Sequence, residues 1–192
     1  MEDVTQLKDE ELVFHYMEGN DSAFVELVNR YLKPVYNFSH RLCGDKKDAE
    51  EISQESFVKL WKNIGKFKQE QKFKTWFYTI VRNTTIDWMR KKKQIVFSEF
   101  DNEDGGNFLE DTLVDTEKTA HELFELAENK KMVEHMLNEM SLQYREVLLL
   151  RYHEGLDFEE IGNVLKKSVN TVKSQHRRAL ILLRKRLENA PK

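Results

Sequence analysis

The sequence predicts an all-α protein of two small helical domains joined by a flexible acidic linker. Three observations point there. Glycine and proline are scarce, seven and two in 192 residues, which disfavours a turn-rich β architecture. Long stretches of Leu, Glu and Lys place apolar residues at three- and four-residue spacing, the period of an amphipathic helix. Charge is also segregated along the chain rather than mixed.

The elements follow in order. Residues 5–19 predict a short helix, closed by Gly19-Asn20. Asp21 and Ser22 are cap residues for the next helix, with Phe24, Leu27, Val28, Tyr31 and Leu32 on one face. Pro34 is expected to kink or restart it, with a further helix through Val35, Phe38, Ser39 and Leu42 to Gly44. Asp45 precedes a helix whose stripe is Ala49, Ile52, Phe57, Leu60, Trp61 and Ile64. Its opposite side exposes Asp48, Glu51, Gln54, Glu55 and Lys59. A helix from about Lys74 to Lys93 follows, with Trp76, Phe77, Ile80, Val81, Ile86 and Met89 facing inward. Trp61, Phe77 and Trp88 are expected in the core. Phe67, Phe73 and Trp76 sit in or beside a loop rich in lysine (Lys66, Lys68, Lys72, Lys74). They are either core residues or faces that stack on unpaired bases while the lysines track phosphates.

The C-terminal part is the most legible. Ser141 is placed to cap a helix that stops at Gly155. Asp157 with Glu160 makes a capping box for a short helix, and Lys166-Lys167-Ser168 form a turn into a long final helix. A short helix, a tight turn and a long basic helix make a helix-turn-helix. Ile161, Val164, Leu165, Val169, Val172, Ala179 and Leu180 close its core. Asn170, Thr171, Lys173, Ser174, Arg177 and Arg178 remain on the outside, where such residues enter the major groove. From Ile161 to Leu187 there are eight basic residues and no acid, so this domain reads as a duplex DNA binder. An amphipathic helix with a basic outer face is the plainer alternative.

Two further charge blocks precede it. Arg82 to Lys93 holds five basic residues against Asp87, and Glu99 to Glu128 holds eleven acids against Lys118. The acidic block contains Gly105-Gly106 and lacks apolar periodicity before about Thr119. It is either a linker or a solubilising loop; the linker reading divides the chain into domains 1–93 and 120–192 around a linker 94–119.

The formal net charge of −3 does not itself advertise a nucleic-acid partner, but exposed charges act within about 8–10 Å at physiological salt. Cys43 is the single cysteine, and the six histidines lack ligand spacing, so neither a disulfide nor a metal site is expected. No cofactor or small-molecule substrate is indicated. No signal peptide and no membrane-spanning run is seen, which fits the cytoplasm. Nuclease or phosphoryl-transfer chemistry would need clustered carboxylates or a phosphate loop, so no catalytic residue is assigned.

Three stretches in this order resemble the extracytoplasmic-function (ECF) subfamily of bacterial RNA polymerase sigma factors. DAEEISQESFVKLW is similar to the family's polymerase-binding helix, KTWFYTIVRNTTIDWMRKKK to its promoter-melting helix, and YREVLLLRYHEGLDFEEIGNVLKKSVNTVKSQHRRAL to its C-terminal helix-turn-helix. The resemblance implies that Asp48, Glu51, Gln54 and Glu55 dock core RNA polymerase. It implies that the loop Phe67, Lys68, Lys72, Phe73, Lys74 and Trp76, with Asn83, Asp87 and Arg90, contacts the −10 promoter element. Asn170, Thr171, Lys173, Ser174, Arg177 and Arg178 would read the −35 element. It further implies an anti-sigma partner and an acidic linker lying in the polymerase's RNA path. Asn170 stands where the family often has Gly, and Gln175-His176 replace a commoner Arg-hydrophobic pair. The alternative is a helix-turn-helix regulator that binds DNA without being a polymerase subunit.

Overall fold

The computed structural model describes residues 4–68, 70–99, 136–137 and 139–188, the side chains of 94–99 and 187–188 excepted. Among these residues there are seven α-helices and no strand. The first, α1 (Asp9–Met17), is shorter than the helix predicted over 5–19. A 3-10 turn, Val4–Gln6, precedes it, and Lys8 is extended. Three acids fill its first turn, where the helix dipole favours negative charge. Glu10 also reaches across to accept the Phe73 backbone N–H at 2.8 Å, capping the start of α4.

Helix α2 (Asp21–Cys43) runs through Pro34 as one element, so of the expected kink or restart the restart does not occur. A proline inside a helix costs about 3 kcal/mol in lost hydrogen bonding and crowding. The buried stripe Ala23, Leu27, Tyr31, Val35, Phe38 and Leu42 crosses Pro34 without interruption, and its burial outweighs that cost. Asn20, rather than Asp21 or Ser22, is the cap, accepting the Ser22 N–H at 3.1 Å. Arg30 pins the N-terminal turn by donating to the Leu7 and Thr5 carbonyls, both at 2.7 Å, and pairs with Asp9 at 2.9 Å.

Helix α3 (Lys46–Asn63) starts at Asp45, whose carboxylate accepts the Asp48 N–H at 2.9 Å. Helix α4 (Phe73–Glu99) continues past the predicted boundary at Lys93, since Gln94–Glu99 contains neither glycine nor proline. The remainder of the predicted linker, residues 100–119, lies outside the described residues. Helices α1–α4 enclose a core in which Phe38, Phe73, Phe77 and Tyr78 are fully buried.

The C-terminal helices are α5 (Leu142–Leu148), α6 (Phe158–Leu165) and α7 (Val169–Glu188). Ser141 occupies the cap position of α5 without a side-chain cap bond. A π-helical turn, Leu149–His153, follows, with the Glu154 N–H bonded to the Leu149 carbonyl at 3.1 Å. The buried run Val147-Leu148-Leu149-Leu150 cannot lie on one helix face. It is covered all round because α5 packs on α7 on one side and approaches α2 on the other. Gly155, at φ +68°, turns the chain out of the π segment. The capping box forms as predicted: Asp157 accepts the Glu160 N–H at 2.8 Å and Glu160 accepts the Asp157 N–H at 2.7 Å. Ser168 Oγ accepts the Thr171 N–H at 3.1 Å, starting α7.

The two helical groups touch. Helix α4 packs on α6, and their buried residues form one continuous apolar cluster from Leu12 to Leu183.

Candidate polymerase and nucleic-acid interfaces

Helix α3 turns Ala49, Ile52, Ser53, Ser56 and Leu60 inward. The two buried serines donate to the carbonyls four residues back, Ala49 at 2.6 Å and Ile52 at 2.7 Å, so neither hydroxyl is left unsatisfied. Glu51 and Gln54 are exposed. Glu55 pairs with Lys59 at 2.8 Å along the helix. Asp48 is drawn toward α4, where Lys92 meets it at 2.6 Å. The four predicted docking residues therefore divide, with Asp48 tied to the fold and the other three facing out.

Trp61 was expected in the core and is instead 56 % exposed, its indole N–H donating to the Tyr16 hydroxyl at 2.9 Å. Val58 is also exposed. Glu51, Gln54, Val58 and Trp61 thus follow one another at three- and four-residue spacing on one outer face. That spacing was visible in the sequence, but the apolar character of Trp61 argued for burial. Phe77 is fully buried as expected, and Trp88 is partly so.

The loop before α4 also differs from expectation. Phe73 is 0 % exposed and Phe67 6 %. They pack on each other at 6.0 Å and on Tyr31 and Trp76, so neither offers a free face to a base. Of the two readings left open for these rings, core holds for both. Trp76 remains partly exposed. Lys68 is exposed, Lys72 meets Glu160 at 2.9 Å, and Lys74 lies 3.7 Å from Glu154 and 5.8 Å from the Tyr78 ring centre. Further along α4, Trp76, Asn83, Asp87 and Arg90 recur at helical spacing. Asn83 accepts from Arg82 at 3.3 Å, and Arg90 and Asp87 form a loose exposed pair at 3.9 Å.

The helix-turn-helix is held by close contacts. Gly162 allows the turn to approach, since a Cβ there would lie 2.9 Å from the Lys167 carbonyl. Lys166 closes α6 in a left-handed conformation, φ +54°. Lys167 donates to Gln175, and Gln175 to Gln143, both at 3.1 Å. His176 is bonded to the Tyr152 hydroxyl at 2.9 Å and packs on Phe158. Burial, helped by the nearby Arg151 charge, lowers its pKa from the usual imidazole value. Asn170, Thr171, Lys173, Ser174, Arg177 and Arg178 are all exposed on α7. Among the described residues no group of three or more His, Cys, Asp or Glu could hold a metal ion, and no helix is long and apolar enough to cross a membrane.

Three acids that sequence reasoning had given no functional role meet α4 from the C-terminal helices: Glu146, Glu154 and Glu160. Glu146 pairs with Arg82 at 2.7 Å. No sequence signal marks such long-range partners.

Comparison with known proteins agrees with this architecture. Residues 27–95 match the Sigma-70 region 2 family and residues 130–183 match Sigma-70, region 4. The ECF RNA polymerase sigma factor SigW of Bacillus subtilis (strain 168) is 32% identical over 174 residues, 90% of this chain and 92% of that protein. The RNA polymerase sigma-H factor of Pseudomonas aeruginosa is 28% identical over 186 residues, 96% of each chain. The fold is shared with the sigma factor RpoE of Bartonella quintana, solved in complex with the anti-sigma factor NepR, at TM-score 0.67 and 22% identity, covering 88% of this chain and 98% of that one. Two helical domains, an exposed basic face on α7 and this similarity along nine-tenths of the length lead to one conclusion: the chain belongs to the ECF sigma factors of the sigma-70 family.

Proposed function

We propose that the outer face of α3 binds core RNA polymerase and that α4 and α7 place promoter DNA, so that the chain directs transcription initiation. One observation carries the DNA-binding half. All six polar side chains predicted for α7 are exposed, in a stretch from Ile161 to Leu187 with no acid to repel phosphate. The N–H groups of its first turn add a preference for phosphate. Arg177 and Arg178 have the reach to bond guanine O6 and N7, and Lys173 to hold the backbone, at the −35 element.

On α3, Glu51, Gln54 and Glu55 supply a polar docking surface, and exposed Val58 and Trp61 extend it with the apolar area that stable association requires. At the −10 element the contacting set is Lys68, Lys72, Lys74, Trp76, Asn83, Asp87 and Arg90. Trp76 supplies the aromatic face, because Phe67 and Phe73 stand behind it in the core. The domain division follows the same roles, with α1–α4 as the polymerase and −10 unit and α5–α7 as the −35 unit. The Bartonella quintana relative is held by an anti-sigma factor, which supports a protein inhibitor as a partner for this chain too. A role on polymerase places the chain in the cytoplasm.

The test is transcription by core polymerase, with and without the chain, on a pool of host genomic fragments. Discrete start sites that depend on the chain are expected. Arg178→Ala should weaken the upstream footprint by about 1–3 kcal/mol of binding free energy. Absence of any chain-dependent start at saturating protein would refute the proposal, and operator-like binding without polymerase would favour a separate regulator.

A further inference from the structure

Gln175 and His176 stand on α7 among the residues assigned to DNA, yet the −35 reading leaves both without a role. Both are half-buried, whereas Thr171, Lys173, Ser174, Arg177 and Arg178 around them are exposed. The inner stripe of α7 is Val172, Ala179 and Leu183, all buried. With about 100° between successive residues, Gln175 falls on one flank of that stripe and His176 on the other. Each is tied to different elements. Gln175 Oε1 accepts from Lys167 Nζ of the turn at 3.1 Å, and its Nε2 donates to Gln143 Oε1 of α5 at 3.1 Å. His176 Nε2 is bonded to the Tyr152 hydroxyl of the π-helical turn at 2.9 Å. Its ring stacks on Tyr152 at 5.7 Å and meets Phe158 of α6 edge-on at 5.1 Å.

Apolar burial is non-directional, so Val172 and Ala179 hold α7 against its neighbours without fixing rotation about its own axis. Hydrogen bonds weaken steeply away from their preferred line. With one set on each flank, a roll of α7 in either sense strains one of them. A helix with its side chains has a radius of about 5–6 Å, so a roll of about 10° carries an outer side chain about 1 Å sideways. A paired contact from arginine to guanine O6 and N7 does not survive such a shift. Water competes for these half-exposed bonds, so they add little to stability while still setting direction.

We propose that Gln175 and His176, held by Gln143, Lys167 and Tyr152, are positioning residues for −35 recognition: they fix the roll of α7 and thereby which base edges Arg177 and Arg178 reach. The inference rests on the assignment of α7 to the −35 element.

The test uses the full chain with core polymerase on templates that share one mapped start site and carry a randomised −35 element. Sequencing the transcripts against their templates gives the discrimination among bases at each position. Gln143→Ala with Tyr152→Phe withdraws one partner from each flank, leaves α7 unaltered and keeps the Tyr152 ring against His176. Discrimination at one or two −35 positions should fall about fivefold. Melting temperature should fall by no more than about 4 °C. Gln143→Glu keeps an acceptor for the Gln175 amide and should retain the unaltered discrimination, which Gln143→Ala alone should partly lose. Val35→Ala, which weakens the N-terminal core, controls for lost stability and should leave base preference as it was. Unchanged discrimination in the double variant, a uniform loss of transcript across all templates, or equal losses in Gln143→Ala and Gln143→Glu would overturn the proposal. Absence of any −35 preference in the unaltered chain removes the reading of α7 and the positioning role with it. A preference that the double variant keeps removes the positioning role alone.

Discussion

Trp61 lies outside where the core was expected, and Phe73, left open between core and base-stacking, lies inside; both outcomes have the same origin. Each lies at a helical position compatible with either side of its element. Phe73 begins α4, and its backbone N–H is held by Glu10 of α1, which carries the ring under Tyr31. Trp61 lies near the end of α3, where Tyr16 takes its indole N–H and more than half of the residue stays exposed among the described residues. His176 makes the C-terminal domain sensitive to pH near neutrality. Its folded pKa lies below its ordinary value, because burial and Arg151 both disfavour the charged ring. The unfolded chain therefore binds the proton more readily in the window just below about pH 6.5, and stability is lost as pH falls through that window. Melting temperature is expected to drop between about pH 7.5 and about pH 5.5. His176→Phe keeps the packing on Phe158 and should flatten that drop; an equal drop in both proteins would remove His176 as the cause.

At the scale of elements, the turn between α6 and α7 sets the angle at which α7 is presented. Gly162 is the point of closest approach, with 2.9 Å from a would-be Cβ to the Lys167 carbonyl oxygen. That oxygen is backbone and cannot swing away. Gly162→Ala should cost about 1–3 kcal/mol through forced displacement of the turn. It should also weaken duplex footprinting, since α7 tilts with the turn. Unchanged melting and footprints would show that the turn absorbs the methyl group. Helix α2 teaches a related lesson. Pro34 is a strong local stop signal, yet the apolar stripe on both sides of it is continuous, and α2 forms as one element.

For the whole molecule, the continuous apolar cluster and the Arg82–Glu146 pair couple two domains that the family models match separately. One cooperative thermal transition is expected at low salt. Arg82→Ala leaves Glu146 facing an apolar interface without its cation. The cost of about 3 kcal/mol for such a break is capped by the free energy of docking, because opening returns Glu146 to water. Calorimetry should then resolve two transitions; a single transition shifted downward would mean the domains unfold as one even without the pair.

The sequence alone determined the helical class, the capping box at Asp157–Glu160 and the exposed basic face of α7. These depend on local chemistry: propensity, short-range hydrogen bonds and charge within a few turns. It also determined the family, since three motifs in order are a linear property. Tertiary structure alone decided that α2 continues through Pro34, that Phe67 and Phe73 are core, and that Asp48 turns to Lys92. It also decided that Glu146, Glu154 and Glu160 meet α4 across 64, 80 and 85 residues of chain. Those outcomes depend on which helix covers which face, a competition between burial and solvation that is settled only when distant segments meet.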